Sequence, residues 1–536
     1  MTLTDNGRDH LPAQTHSSRY LYLAVFASGM TTLAVELSAS RLLGNVFGTS
    51  NLVWANVIGL ILLYLTVGYF VGGRWADRSP NPRTFYTIIA WGAFLSGLIP
   101  LVARPVLTVA ANAVVHVDAA LAIGSFVSVL VLFSAPVTLL GCVSPFAIRL
   151  AVREVGESGK VSGQIYALST MGSLIGTFAP VLILIPELGT IRTFLLFAGI
   201  LFIVAFGGLW RDQHQTALRV LWMPAVVAVL AILVLNGPLR PPLEDSVLLY
   251  EDESAYNYIQ VQEDTNGFRY LYLNEGQGIH SQWHPDIYAY NRTWDFFLTA
   301  PYFNDPPYSM DRVDSLLILG LASGTIARQH IKIYGDIPID GVEIDPGIID
   351  AGRLFFDMSA EKMPGLTVYA QDGRYMLNQL DRRYSVVAVD AYRPPYIPWH
   401  LTTVEFFREV HQHLKTDGVV AINVGRTDTD RRLVDALTAT LRQVFPSVHA
   451  LDVPYSFNTI LVATIQATDS TNLQQNLALL KNAPTMLLNT LSLGTDSLVA
   501  SHSSELIFTD DRAPVETLVD SLVINFLLSD GTAQLR

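Results

Sequence analysis

The chain has 536 residues, of which 50% are hydrophobic and only 15% charged, with a net charge of −13. Residues 1–240 hold 14 Lys+Arg against 9 Asp+Glu, a net +5, whereas residues 241–536 hold 20 against 38, a net −18. This argues against an ordinary soluble enzyme throughout, an acidic second half argues against a phosphate-binding nucleic-acid surface, and the lone Cys142 rules out an intrachain disulfide or a thiolate metal cluster.

Residues 1–19 read as a polar tail. Apolar stretches near 20–43, 52–73, 85–102, 119–143, 164–185, 190–209 and 218–236 follow, each long enough to cross a hydrocarbon layer of about 30 Å. They predict a transmembrane all-α bundle of about seven spans over 20–240 in a cell membrane. The first run has no cleavage site behind it and reads as a span, not a signal peptide. Gly68 with Gly72, and Gly172 with Gly176, have the four-residue spacing that lets helix backbones approach. Cys142 reads as a buried, inert thiol. Glu36 and Arg41 lie within or at the end of the first span, where ionisable groups are costly and are paired or functional.

Loop charge gives a topology. Arg74, Arg78 and Arg83, then Arg149, Arg153 and Lys160, then Arg211 and Arg219 fall on one side, which should be the cytoplasm. Seven passes would put the second half on the other side, whereas a nucleoside-binding enzyme is expected inside. The short apolar run 105–115 is the segment that would change the count, and a cytoplasmic second half is the reading adopted.

Beyond the proline-rich link at 237–242, Tyr256–Leu273 alternates apolar and polar residues around Asn266-Gly267, which predicts a hairpin within a small β-strand region over 247–310. From Val313, apolar strands at 316–319, 339–342, 366–369, 386–389 and 419–422 are separated by helical stretches. The pattern predicts a doubly wound parallel sheet, a Rossmann-like α/β domain over 311–465. Residues 466–536 read as a C-terminal helical extension, whose Asp510 and Asp511 either cap a helix or fold back toward the site.

Ligands of such sheets bind beyond the carboxyl ends of the strands. The first strand runs into Gly320-Leu321-Ala322-Ser323-Gly324, whose glycines allow close approach to a ligand. The second ends at Glu343, where a carboxylate can accept both hydroxyls of a ribose. The third is followed by Asp372-Gly373, placing an acceptor for an adenine amino group beside a tight turn. The fourth ends at Asp390, placed to take a proton. His400 follows a proline-rich loop and is a candidate for acid/base work or stacking, against a structural hydrogen bond. His280 and His284 lack helical periodicity and further ligands, so no metal is predicted.

These residues, with Val342-Glu343-Ile344-Asp345-Pro346 and Ser254-Ala255-Tyr256-Asn257, resemble the spermidine synthase family of polyamine aminopropyltransferases over about 250–465. The helical half, with Gly72-Gly73-Arg74-Trp75-Ala76-Asp77-Arg78, is similar to the fused members in which a transporter-like bundle precedes the synthase domain. So are Ile397–Thr402 and Thr509–Glu516. The resemblance implies a transferase that uses decarboxylated S-adenosylmethionine as donor and an amine as acceptor. Asp390 would be the catalytic base, with Asn257, Gly320, Glu343, Asp372 and Gly373 binding the donor. Asn257 stands where the family has a glutamine. Ser323 and Arg393 stand where it has acids for the amine, and Tyr288-Ala289-Tyr290 stands for a Tyr-His-Glu stretch. Ser323, Arg393 and His400 are therefore the candidate acceptor side, with the polyamine site diverged. Partners are small molecules and the lipid bilayer, with a homodimer as a candidate assembly. The rival readings are an S-adenosylmethionine-dependent methyltransferase, and a transporter or sensor whose domain binds a nucleoside.

Overall fold

A computed structural model of the chain describes residues 18–47, 51–114, 120–238, 242–274, 278–392 and 397–528. They form two compact units, a helical one that takes in most of the described residues up to 237 and a second that takes in those from 238 on.

Among the described residues, seven helices are long and apolar enough to cross a membrane: Arg19–Gly44, Val53–Arg78, Pro82–Ala103, Gly124–Ala151, Val155–Leu188, Thr190–Asp212 and His214–Leu235. They coincide with the seven expected stretches. The run at 105–115 forms no separate span over its described part, because the third helix continues through Pro100 and Pro105 to Val114. The glycine spacing is a packing device. A Cβ on Gly172 would lie 2.1 Å from the Phe26 carbonyl oxygen, and one on Gly176 would lie 2.0 Å from that of Met30. Gly68 and Gly72 meet Thr138 and Cys142 in the same way, so each pair seats one helix directly on another backbone. Cys142 is buried, and its thiol donates to the Thr138 carbonyl at 3.3 Å. Asp77 accepts from Arg149 at 3.2 Å, an exposed pair that links two helices and contributes little to stability.

The second unit begins with an antiparallel sheet of β1 (Ser246–Glu253), β2 (Tyr258–Asp264), β3 (Arg269–Leu273) and β4 (Ile279–Trp283), in that spatial order. The expected hairpin joins β2 to β3. Gly267 takes φ +84°, and the Asp264 carboxylate accepts the Asn266 and Phe268 amides at 2.9 and 3.0 Å, so one acid and one glycine define the turn.

The main sheet contains β5 (Leu316–Leu319), β6 (Ile339–Glu343), β7 (Leu366–Ala370), β8 (Tyr384–Val389), β9 (Leu414–Gly425), β10 (Ser447–Asp452), β11 (Asn458–Thr464) and β12 (Leu498–Val499). Its order is β12-β10-β11-β9-β8-β5-β6-β7. All five predicted strands form, and β7, β6, β5, β8 and β9 are mutually parallel. The sheet is nevertheless mixed, which corrects the all-parallel expectation. A short link between β10 and β11 forces them antiparallel, and β11 runs antiparallel to β9. Besides helices Thr471–Leu479, Thr485–Asp496 and Val515–Leu528, the stretch after residue 465 contributes β12 at the sheet edge.

Period-two alternation explains why this sheet lies inside. Leu316, Ile318, Val386, Ala388, Val419 and Ala421 belong to one core, while Leu317, Leu319, Val387, Val389, Val420 and Ile422 belong to another. Both faces are covered, as the near-continuous apolar strands require. Polar side chains can then collect only where the strands end.

Candidate active site

Strand β5 pairs with β6 on one side and β8 on the other, so the winding direction reverses around β5 and a crevice opens beyond the carboxyl ends of these strands. Gly320 leaves β5 at φ +91°. A Cβ there would lie 2.5 Å from the Ala391 nitrogen. Gly320 thus lets this loop lie directly on the chain's own backbone after β8.

Glu343 ends β6 and turns back under this loop. Its carboxylate accepts the Ala322 amide at 2.9 Å and the Asp345 amide at 3.1 Å. Burial pushes its pKa up to about 7, opposed by those amides and reinforced by the nearby Asp345 charge. Asp345 is itself buried and caps helix Pro346–Phe355 by accepting the Gly347 amide at 2.9 Å. Its second oxygen accepts the Ser254 hydroxyl at 2.6 Å and the Asn257 amide at 2.8 Å. The Asn257 oxygen in turn accepts from Asn274 at 2.8 Å. Asn257 therefore joins the small sheet to the acid two residues beyond Glu343, and both ends of its amide group have protein partners.

Asp372 follows β7 and caps helix Gly373–Leu377, accepting the Tyr375 amide at 2.9 Å. Gly373 is not left-handed, and a Cβ there would meet Leu319 at an ordinary 3.6 Å, so the turn does not demand glycine. His400 Nε2 lies 3.0 Å from the other Asp372 oxygen. This places His400 beside the acid after β7, where the short 3₁₀ turn Trp399–Leu401 packs against helix Gly373–Leu377.

Asp390 follows β8. Strand register pairs Val389 with Ile422, which brings the next residue of β9, Asn423, opposite it. The Asn423 amide donates to Asp390 at 2.9 Å and accepts from Asn458 at 2.8 Å. The indole N–H of the buried Trp294 donates to the same carboxylate. Desolvation pushes Asp390 up to about 7, and the two donors hold it below where burial alone would put it.

The remaining candidates separate. Ser323 is 1% exposed, with its amide bonded to Ser281 at 2.9 Å and its hydroxyl buried without a partner. Arg393 lies outside the described residues. Tyr288 lies under the Arg328 guanidinium at 4.0 Å, and the Tyr290 hydroxyl accepts from Arg328 at 3.2 Å, so both pack against helix Thr325–Tyr334. His284 accepts the Asp286 and Ile287 amides at 3.1 and 3.2 Å, a turn-forming role. Among the described residues no cluster of His, Cys, Asp and Glu could hold a metal.

Trp294 and Asn423 escaped the sequence reading. Asn423 had a signal, a lone amide in the apolar run of β9. Trp294 had none, since only the fold brings its helix to β8.

Gly320, Glu343, Asp372 and Asp390 thus lie at the carboxyl edge of one Rossmann-like sheet, where ligands of open α/β sheets bind. Residues 305–475 match the Spermine/spermidine synthase domain. A probable polyamine aminopropyl transferase of Bifidobacterium longum is 34% identical over 290 residues, and the match spans 51% of this chain and 62% of that protein. Polyamine aminopropyltransferase 2 of Ralstonia nicotianae is 24% identical over 441 residues, covering 79% of this chain and 82% of that one. A probable spermidine synthase from Corynebacterium glutamicum, a solved structure, aligns with 50% of this chain and 99% of its own at 17% identity and a TM-score of 0.38.

The buried acid gives a stability prediction. A carboxyl with a folded pKa near 7 and an ordinary value of 3.8 holds its proton more tightly when folded, so it costs stability as pH rises from about 4 to 7. Asp390→Asn removes that cost. The variant should match the wild type near pH 3 in urea unfolding and exceed it at pH 8 by up to about 4 kcal/mol. A variant less stable than wild type at pH 8 would contradict the assigned desolvation.

Proposed function

We propose that the chain is a membrane-anchored aminopropyltransferase whose second unit binds decarboxylated S-adenosylmethionine and transfers its aminopropyl group to an amine. The observation that carries this reading is Asp390, a carboxylate at the switch point held by Asn423 and Trp294 with its pKa raised to about 7, where a general base works best near neutral pH. Glu343 would hold the ribose hydroxyls, Asp372 and Gly373 the adenine, with His400 at that end. Gly320 shapes the loop between them, and Asn257 supports the loop through Asp345.

In the proposed step the amine lone pair attacks the aminopropyl carbon bonded to sulfonium sulfur. The new C–N bond forms as the C–S bond breaks, its electron pair neutralising the sulfur to give methylthioadenosine. The proton released from the nitrogen passes to Asp390. Most of the rate gain in such a displacement comes from alignment and a deprotonated nucleophile. Arg393 stands three residues beyond Asp390 in sequence, where the resembled family has an acid for the amine, and without that acid the attraction for a dication is weaker. The proposed acceptor is therefore an amine other than a simple diamine.

The seven apolar helices support anchoring in a cell membrane. We place the second unit in the cytoplasm, because a donor with a fixed positive charge does not cross a bilayer unaided; the opposing consideration is the basic loops, which with seven passes favour the other face.

Asp390→Asn should lower turnover with decarboxylated donor by about 10²–10⁴-fold, with donor affinity within about twofold. The wild-type rate should rise as pH increases through about 7, since protonation removes the base. An Asn variant with full activity would contradict the catalytic role. For topology, Asp511→Cys in intact cells should resist a membrane-impermeant maleimide until the membrane is opened. Labelling in intact cells would put the unit outside.

A further inference from the structure

The segment around Asp510 is built into the edge of the candidate donor site. Arg374, in the first turn after Asp372, has five N–H donors, and all five are engaged. Two go to Glu409 at 2.9 and 2.7 Å, two to Asp510 at 2.8 Å each, and one to the His400 carbonyl at 3.2 Å. Such saturation of both edges of a guanidinium fixes it in the plane of its partners. Asp510 comes from 136 residues further along the chain, and it does more than neutralise charge. Its Oδ1 also accepts the Thr403 hydroxyl at 2.7 Å, and its amide donates to Glu405 at 3.0 Å.

The consequence falls on His400. Its carbonyl is held by Arg374 and its ring stands 3.0 Å from Asp372, while Asp510 grips Thr403 three residues later. The backbone agrees, since the Val404 amide donates to the Phe508 carbonyl at 2.9 Å and Phe508 is fully buried. Both partners press on the Arg374 fork, and the opposite charges draw the Glu409 and Asp510 pKa values below the usual carboxylate range.

We infer that Asp510 is a positioning residue for the donor end of the site, acting through Arg374 and Thr403 to hold the Asp372–His400 pair in place. The C-terminal stretch is then a working part of the nucleoside pocket. This rests on the donor reading above.

The test uses the full-length protein in detergent with Asp510→Asn, Asp510→Glu and, as a control, the exposed neighbour Asp511→Asn. Calorimetry with decarboxylated S-adenosylmethionine should show about tenfold weaker binding for Asp510→Asn, the loss of one charge-assisted contact. The KM for the donor should rise in parallel, with kcat at saturating donor and the KM for the amine within about twofold. Asp510→Glu should recover part of the affinity, and Asp511→Asn should bind as wild type does. In ¹⁵N spectra of labelled histidine, the His400 ring signals should shift in Asp510→Asn. A purely structural role would instead lower the melting temperature and kcat without a selective donor effect, and that result overturns the inference, as does unchanged donor binding with unchanged His400 signals. If the wild-type protein binds no donor, the functional reading fails, and the His400 spectrum alone then decides whether Asp510 positions the pair.

Discussion

The main sheet is covered on both faces, and the rest of the unit follows from that constraint. Leu316–Leu319 and Val386–Val389 alternate into two separate cores, so neither β5 nor β8 can hold a charged side chain along its length without desolvating it. The ionisable groups are displaced to the strand ends, where they are only partly relieved of the same cost. Glu343 and Asp390 are therefore both pushed up to about 7 by burial and moderated by directed N–H donors. One architectural fact thus supplies both the location of the acids and their readiness to exchange protons near neutrality.

The donors that moderate them differ, and the difference separates two roles. Glu343 is held by backbone amides of the loop that Gly320 begins and of the turn that Asp345 caps, so its position is tied to main-chain geometry. Asp390 is held by side chains, Asn423 from the neighbouring strand and Trp294 from a separate helix. A backbone-held acid keeps its place as long as the loop does, whereas a side-chain-held acid can be tuned by substitution around it.

Much of this was legible in the residues. Apolar length located all seven helices, since a span has one dominant requirement, but missed their ends by up to nine residues where polar turns continue the helix. Strands β5 to β9 were legible as apolar runs punctuated by glycine and acid. The antiparallel edge was not, because the direction of β10 and β11 is set by the link between them and not by their apolar content, and β12 is only two residues long. Glu343, Asp372 and Asp390 could be placed because a strand end is a local property. The partners of His400 and the destination of Asp510 could not, because both depend on contacts made across the fold: His400 bonds Asp372 across 28 residues and Asp510 reaches Arg374 across 136.

The central claim is that the carboxyl edge of the sheet is a site for a decarboxylated nucleoside donor. Calorimetric titration of the detergent-purified protein with decarboxylated S-adenosylmethionine and with S-adenosylmethionine, using Glu343→Ala as the control, tests it most directly. The account predicts saturable binding with preference for the decarboxylated form, lost in Glu343→Ala. Preference for the intact donor would point to methyl transfer, and absence of binding to either would contradict the account altogether.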